Sequence, residues 1–161
     1  YKYTYYICTY KTESMKTQSV TVDLPGVSPE QMFDAVHDVA NWPAWDAGLE
    51  KIEIGPGPSV EGTEFYLTPK GGPRTRIRIE KLEPGRLHRD LSFLPLGKMQ
   101  MEHRFEPMAG GTRATVTVST WGPLGWLWWR IIGKKQIEEA AEHERDLARY
   151  AARTFAPAHS A

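Results

Sequence analysis

From residue 17 to residue 24 the chain alternates, with Val20, Val22 and Leu24 on one face, which predicts a half-buried strand. Pro25-Gly26 ends it. Ser28-Pro29-Glu30-Gln31 then reads as a helix start: Ser28 can cap, Pro29 suits the first helical position, and Gln31 completes a capping box. Met32, Phe33, Val36, Val39 and Ala40 follow at helical spacing. The helix should stop near Asn41, because Pro43 disfavours helical geometry at Trp42. Trp42-Pro43-Ala44-Trp45-Asp46 is then a turn or short helix carrying two indoles.

Short β-like runs separated by Gly and Pro fill the middle: 49–54, 63–68, 74–82, 87–94, 99–106 and 112–121. Such spacing predicts an antiparallel meander. The last element is a long helix from about residue 124 to 155. Leu127, Trp128, Ile131, Ile137, Ala140, Ala141, Glu144, Leu147, Ala148, Ala151 and Phe155 form one mostly apolar face, and Gly133 marks a kink or a change of face. One helix alone cannot cover seven strands unless the sheet curls around it. The expected class is therefore α+β: a curved antiparallel sheet of about seven strands on a long C-terminal helix, with a wedge-shaped space between them.

Length and composition add little to that picture and exclude several classes. The 161 residues suit one domain, placed at 15–157 with a tail at 158–161. Residues 1–14 hold five of the seven tyrosines and read either as an extension before Met15 or as an edge strand. Lys plus Arg and Asp plus Glu are 20 each, which argues against a nucleic-acid binder. The single cysteine, Cys8, forms no disulfide framework. No run reaches transmembrane length and no signal-peptide pattern stands at the start, so the expected location is cytoplasmic.

Strand parity supplies the candidate chemistry. Met99, Met101, His103 and Phe105 share a face that should point inward. His103 there is a proton shuttle, a hydrogen-bond anchor for a ligand carbonyl, or a core histidine bound to a backbone carbonyl. In 87–94, apolar content turns Leu87, Arg89, Leu91 and Phe93 inward, and Arg89 would then anchor a carboxylate or enolate. The opposite parity would put His88, Asp90, Ser92 and Leu94 inside and leave Arg89 in water. Phe65 and Leu67 should also line the interior. Arg74, Arg76 and Arg78 read as a solvated outer face without the interleaved aromatics that a nucleic-acid strip would need. The segment from Gly125 to Ile132 is apolar almost all round, so Trp126 and Trp129 should line a pocket, form its lid, or meet a partner or membrane surface. Trp42 and Trp45 are expected at the same mouth. Glu142-His143-Glu144 points in three directions and makes a poor metal site.

Three segments together carry a family resemblance. They are Val22 to Asp46 with Asn41-Trp42-Pro43-Ala44-Trp45, then His103-Arg104-Phe105-Glu106-Pro107 with Gly110-Gly111-Thr112-Arg113, then Gly122-Pro123-Leu124-Gly125 before the last helix. Their order resembles the START-like (SRPBCC) helix-grip superfamily, particularly its polyketide cyclase/dehydrase-like branch. The resemblance implies a deep, largely apolar cavity that binds lipids, polyketides, quinones or similar molecules, with cyclisation or dehydration in some members. It implies no cofactor and supplies no universal catalytic motif. The expected function is thus binding of a hydrophobic or aromatic small molecule, as a carrier, a sensor or a cyclase-like protein. In the enzymatic alternative His103 is the acid or base and Arg89 the anchor, while Phe93, Phe105, Trp126 and Trp129 position substrate. Leu91, Met99 and Met101 complete the expected lining. A third alternative is peripheral contact with a membrane or protein through the Trp126–Trp129 cluster.

Overall fold

The computed structural model describes residues 15–155, so the readings for residues 1–14 and 158–161 lie outside the described residues. The chain enters as β1 (Lys16–Pro25) and turns into α1 (Pro29–His37). Both halves of the capping box form: the Gln31 amide donates to Ser28 Oγ at 3.3 Å and the Ser28 amide to Gln31 Oε1 at 3.0 Å. The helix stops at His37, short of Asn41, and Val39–Ala44 winds on as a 3-10 turn with Pro43 inside it. That turn gathers Val39 and Trp42 into the core.

Six strands follow: β2 (Leu49–Ile54), β3 (Glu64–Pro69), β4 (Thr75–Glu83), β5 (Leu87–Leu94), β6 (Gly97–Met108) and β7 (Gly111–Trp121). All neighbours are antiparallel, in the order β1-β7-β6-β5-β4-β3-β2. Sequence neighbours are hairpin partners from β2 to β7. The crossing from β1 at one edge to β2 at the other is made by α1 and its 3-10 turn. The C-terminal helix runs as α2 (Gly125–Trp128), a π turn (Trp129–Gly133) and α3 (Lys134–Thr154). The π turn is the change of face expected near Gly133. It lets Trp129 and Ile132 pack inward while Trp126 and Ile131 stay exposed.

Register fixes which side chains face α3, because directly paired residues share a face. One inner row is Leu82, His88, His103, Val116 and Val20; the next holds Ile79, Asp90, Met101 and Val118; a third holds Phe65, Ile77, Ser92, Met99 and Thr120. β5 therefore takes the parity opposite to the apolar-content reading. Arg89, Leu91 and Phe93 lie on the outer face, with Arg89 Nε donating to Glu102 Oε2 at 2.8 Å. Leu91 is buried on that face, opposite Arg78 and Gln100. Phe93 lies under the Arg76 guanidinium at 4.0 Å, and Tyr66 under that of Arg74 at 3.3 Å. Aromatics do interleave with these arginines, but Glu53, Glu64 and Glu80 pair with Arg74, Arg76 and Arg78, so the face carries no free band of positive charge.

The core divides into two apolar clusters. The larger gathers Met32, Phe33, Val36 and Trp42 with Phe65, Ile79, Phe105, Leu147 and Ala151. The smaller gathers Met99, Val116, Val118, Ile137 and Ala140, with Met101, Trp129 and Ile132 against it. Leu147 is fully buried. Leu147→Ala should cost about 3 kcal/mol in urea unfolding, and Ser28→Ala about 1 kcal/mol through loss of the cap. A Leu147→Ala loss no larger than that of Ser28→Ala would contradict a core built on α3.

Candidate functional site

Between the two apolar clusters runs a band of buried polar side chains. β5 supplies His88, Asp90 and Ser92, β6 supplies His103, and α3 supplies Glu144; all five are buried. The strands place them by alternation, and α3 places Glu144 between Ala140 and Leu147 on its inward stripe. His103 Nδ1 and Glu144 Oε1 lie 2.7 Å apart. Burial alone would push the His103 imidazole toward its neutral form. The Glu144 carboxylate outweighs that, with smaller contributions from Asp90 and Glu102, and the pKa is raised.

Asp90 and His88 are shifted in the opposite sense. Burial drives the Asp90 carboxyl up to about 7, against the pull of nearby His103. Burial, with the charges of His103 and His37, drives His88 down to about 3. His88 Nδ1 and Asp90 Oδ2 are 4.0 Å apart. Between those two pKa values both groups are neutral, so they do not form an ion pair. The gap is wide for a hydrogen bond and suits one bridging oxygen.

Several polar atoms of this band and of the aromatic residues outside it lack partners. Both His88 ring nitrogens, Glu144 Oε2, His37 Nδ1 and Trp45 Nε1 are buried with no hydrogen-bond partner among the described residues. Leaving such an atom unmatched costs roughly 1–3 kcal/mol. His37 stacks on Phe33 and meets His88 edge-on at 6.0 Å between ring centroids. His37 also lines an open cleft of about 360 Å³ with Asp34, Asp38, Pro58, Ser59 and Phe155, which holds none of the band itself. A second open cleft, of about 540 Å³, is lined by Pro29, Glu30, Gly85, Arg86, Phe105, Glu106 and Pro107 and holds none of the band.

The apolar part of the site is the incompletely covered concave face. Met101, Leu67 and Leu94 point inward by register yet remain half-buried, as do Ile52 and Ile54. Trp45 and Trp129 are half-buried beside them. Among the expected lining residues, Phe65, Leu67, Met99, Met101, Phe105 and His103 thus share the inner face, whereas Arg89, Leu91 and Phe93 do not. Trp42 is core: its indole donates to the Val36 carbonyl at 2.8 Å and it packs on Phe65 at 5.4 Å. Trp126 is 53 % exposed and does not line the interior. His88, Asp90 and Glu144 were the residues that sequence reasoning did not select. Their signals were present as the opposite β5 parity and as one carboxylate on an otherwise apolar helix stripe. No group of three metal-ligating side chains forms among the described residues.

Comparison with known proteins places this geometry. The structure of Ara h 8.0201 superposes with a TM-score of 0.66 at 18% identity, covering 88% of this chain and 100% of the other. Norcoclaurine synthase from Thalictrum flavum, in complex with dopamine and hydroxybenzaldehyde, gives 0.69 at 12% identity over 98% of each chain. The di-domain ARO/CYC protein StfQ of the steffimycin biosynthetic pathway gives 0.64 at 14% identity, covering 86% of this chain and 51% of that one. At these identities the likeness concerns the fold, which is the helix-grip arrangement expected from the sequence. No curated protein sequence matches the chain. The family model described as polyketide cyclase/dehydrase and lipid transport matches residues 15–151, nearly the whole described chain, and the protein belongs to that family.

Proposed function

We propose that the protein binds a hydrophobic or aromatic small molecule carrying a hydroxyl or carbonyl group, held between the concave sheet and α3. The observation that carries this reading is the set of unmatched buried polar atoms on His88 and Glu144, next to half-buried inner-face side chains. The ligand's apolar body would lie on Met101, Leu67, Trp45 and Trp129. Its polar group would meet His88, Asp90 and the His103–Glu144 pair. The norcoclaurine synthase structure holds dopamine and hydroxybenzaldehyde, which are aromatic molecules with hydroxyl groups, and that supports the same ligand class here.

A second reading, cyclisation or dehydration of the bound molecule, is favoured by Asp90. A carboxyl near 7 exchanges protons readily at neutral pH, and the His103 imidazole, whose pKa is raised by Glu144, acts on it from nearby. Asp90 rather than Arg89 is then the partner of His103. In this reading the protonated Asp90 carboxyl gives its proton to the departing hydroxyl as the C–O bond breaks. The carboxylate left behind takes the proton from the neighbouring carbon as the double bond forms, so Asp90→Asn keeps binding but stops the loss of water.

The same carboxyl makes stability depend on pH. A raised pKa means that the folded state holds the proton more tightly than the unfolded state. Its stabilisation is present below 3.8 and lost as pH rises through about 7. The full loss is roughly 4 kcal/mol, from about three units at about 1.4 kcal/mol each. His88 acts in the other direction: its lowered pKa costs stability as pH falls from 6.5 toward 3.

Two outcomes are expected. In urea unfolding, Asp90→Asn should match the wild type near pH 4 and exceed it at pH 8 by up to roughly 4 kcal/mol. An advantage independent of pH would contradict the buried, proton-holding carboxyl. By isothermal titration calorimetry, 2-naphthol should bind about tenfold more tightly than naphthalene, and His88→Leu should erase that preference while leaving naphthalene affinity in place. Equal binding of the two probes by the wild type would refute a polar group inside the site. Native mass spectrometry of the purified protein then reads any retained ligand directly.

A further inference from the structure

The end of the molecule around the π turn is unlike the rest of its surface. Leu96, Trp126 and Ile131 are 66 %, 53 % and 54 % exposed. Leu96 sits at the tip of the β5–β6 turn with φ of +50°, a conformation that glycine would adopt without strain. Neither the fold nor the ligand site requires an apolar side chain there.

Hydrogen bonds tie this end together. The Trp128 indole donates to the Pro95 carbonyl and the Leu124 amide to the Leu96 carbonyl, both at 2.8 Å. Gly97 is close-packed under Trp128, since a Cβ there would lie 2.6 Å from the indole ring. The β5–β6 turn that carries Leu96 is thereby fastened to the start of α2, which carries Trp126.

Its charge is segregated as well. In a chain with 20 cationic and 20 acidic residues, Trp121 to Ile137 contains Arg130, Lys134 and Lys135 and no Asp or Glu. All three cations are exposed. Lys134 and Lys135 reach Glu138 and Glu139 only at 3.6 and 3.9 Å in open solvent, contacts easily exchanged for other anions. Arg130 has no ion-pair partner among the described residues.

We propose that Leu96, Trp126 and Ile131, ringed by Arg130, Lys134 and Lys135, form a face that docks on an anionic lipid bilayer. Tryptophan and leucine enter the headgroup boundary, while long cationic stems bury their methylenes and keep their charges at the phosphates. Lysine is depleted at protein–protein interfaces, so this mixture fits a bilayer better than a protein partner. Behind the face, Trp129 and Ile132 pack on Met99, Val116 and Val118 of the inner sheet surface. A docked molecule would hold the concave face one helical turn from the lipid. The docking goes beyond small-molecule binding and stands or falls separately from it.

The test is flotation of the full chain with vesicles of phosphatidylcholine alone and of phosphatidylcholine mixed with phosphatidylglycerol. The wild type should float with the mixed vesicles at low salt and release in about 1 M salt, where charges are screened beyond roughly 3 Å. Lys134→Gln and Lys135→Gln should each weaken binding about fivefold. Trp126→Ser should weaken it with an unchanged melting temperature. Leu96→Gly should weaken it while raising the melting temperature, because it removes the strained leucine. Absence of wild-type flotation on mixed vesicles, or unchanged flotation of folded Trp126→Ser and Leu96→Gly, would overturn the proposal. Concentration-dependent self-association through these residues without vesicle binding would overturn it in favour of a second copy of the chain.

Discussion

The contact between His103 and Glu144 joins the centre of the sheet to the middle of α3, and the site is arranged around it. Two charged groups taken out of water are tolerated only when each answers the other, and removing one partner leaves a stranded charge costing about 3–5 kcal/mol. The pair therefore ties α3 to one rotation and one height over β6. With Glu144 so placed, Ala140 and Ile137 fall on the smaller apolar cluster, and Leu147 and Ala151 on the larger. The polar band lies where the clusters part. The same contact raises the pKa of the His103 imidazole, whose charge in turn acts on Asp90.

Around that pair the interior departs from what stability alone would select. His88 is buried with both ring nitrogens unmatched, and Asp90 is buried without a full salt bridge. Apolar residues of similar size would pack there without such penalties. Groups held at a cost, with pKa values pushed apart by burial, are what binding and proton-transfer sites contain. The folding cost at β5 is offset by the two apolar clusters on either side of it.

Much of the architecture was legible in the sequence, because alternation and turn residues report directly on backbone geometry. The runs 49–54 and 87–94 coincide with β2 and β5, and the capping box at Ser28 opens α1 where the pattern places it. His103 was legible because Met99, Met101 and Phe105 on its face are apolar. β5 misled for the converse reason: its inner residues, His88, Asp90 and Ser92, are the polar ones. Counting apolar residues selects the wrong face wherever a site puts polar groups inside a sheet. Phe93 and Leu91 could face outward because Arg76, Arg78 and Gln100 flank them across neighbouring strands. The π turn at Trp129 left no sequence signal beyond Gly133 and the surplus of apolar residues around it. Glu144 could have been singled out as a charge on the buried stripe, but its partner lies 41 residues away and becomes visible only once the strands are in register.

The most direct test of this account is an NMR titration of the His103 ring nitrogens in the intact protein. If the Glu144 contact organises the interior, His103 holds its proton to higher pH than a free imidazole, and Glu144→Gln lowers its pKa. A His103 ring that loses its proton at or below the pH of a free imidazole in the wild type, or that titrates identically in Glu144→Gln, would contradict the account.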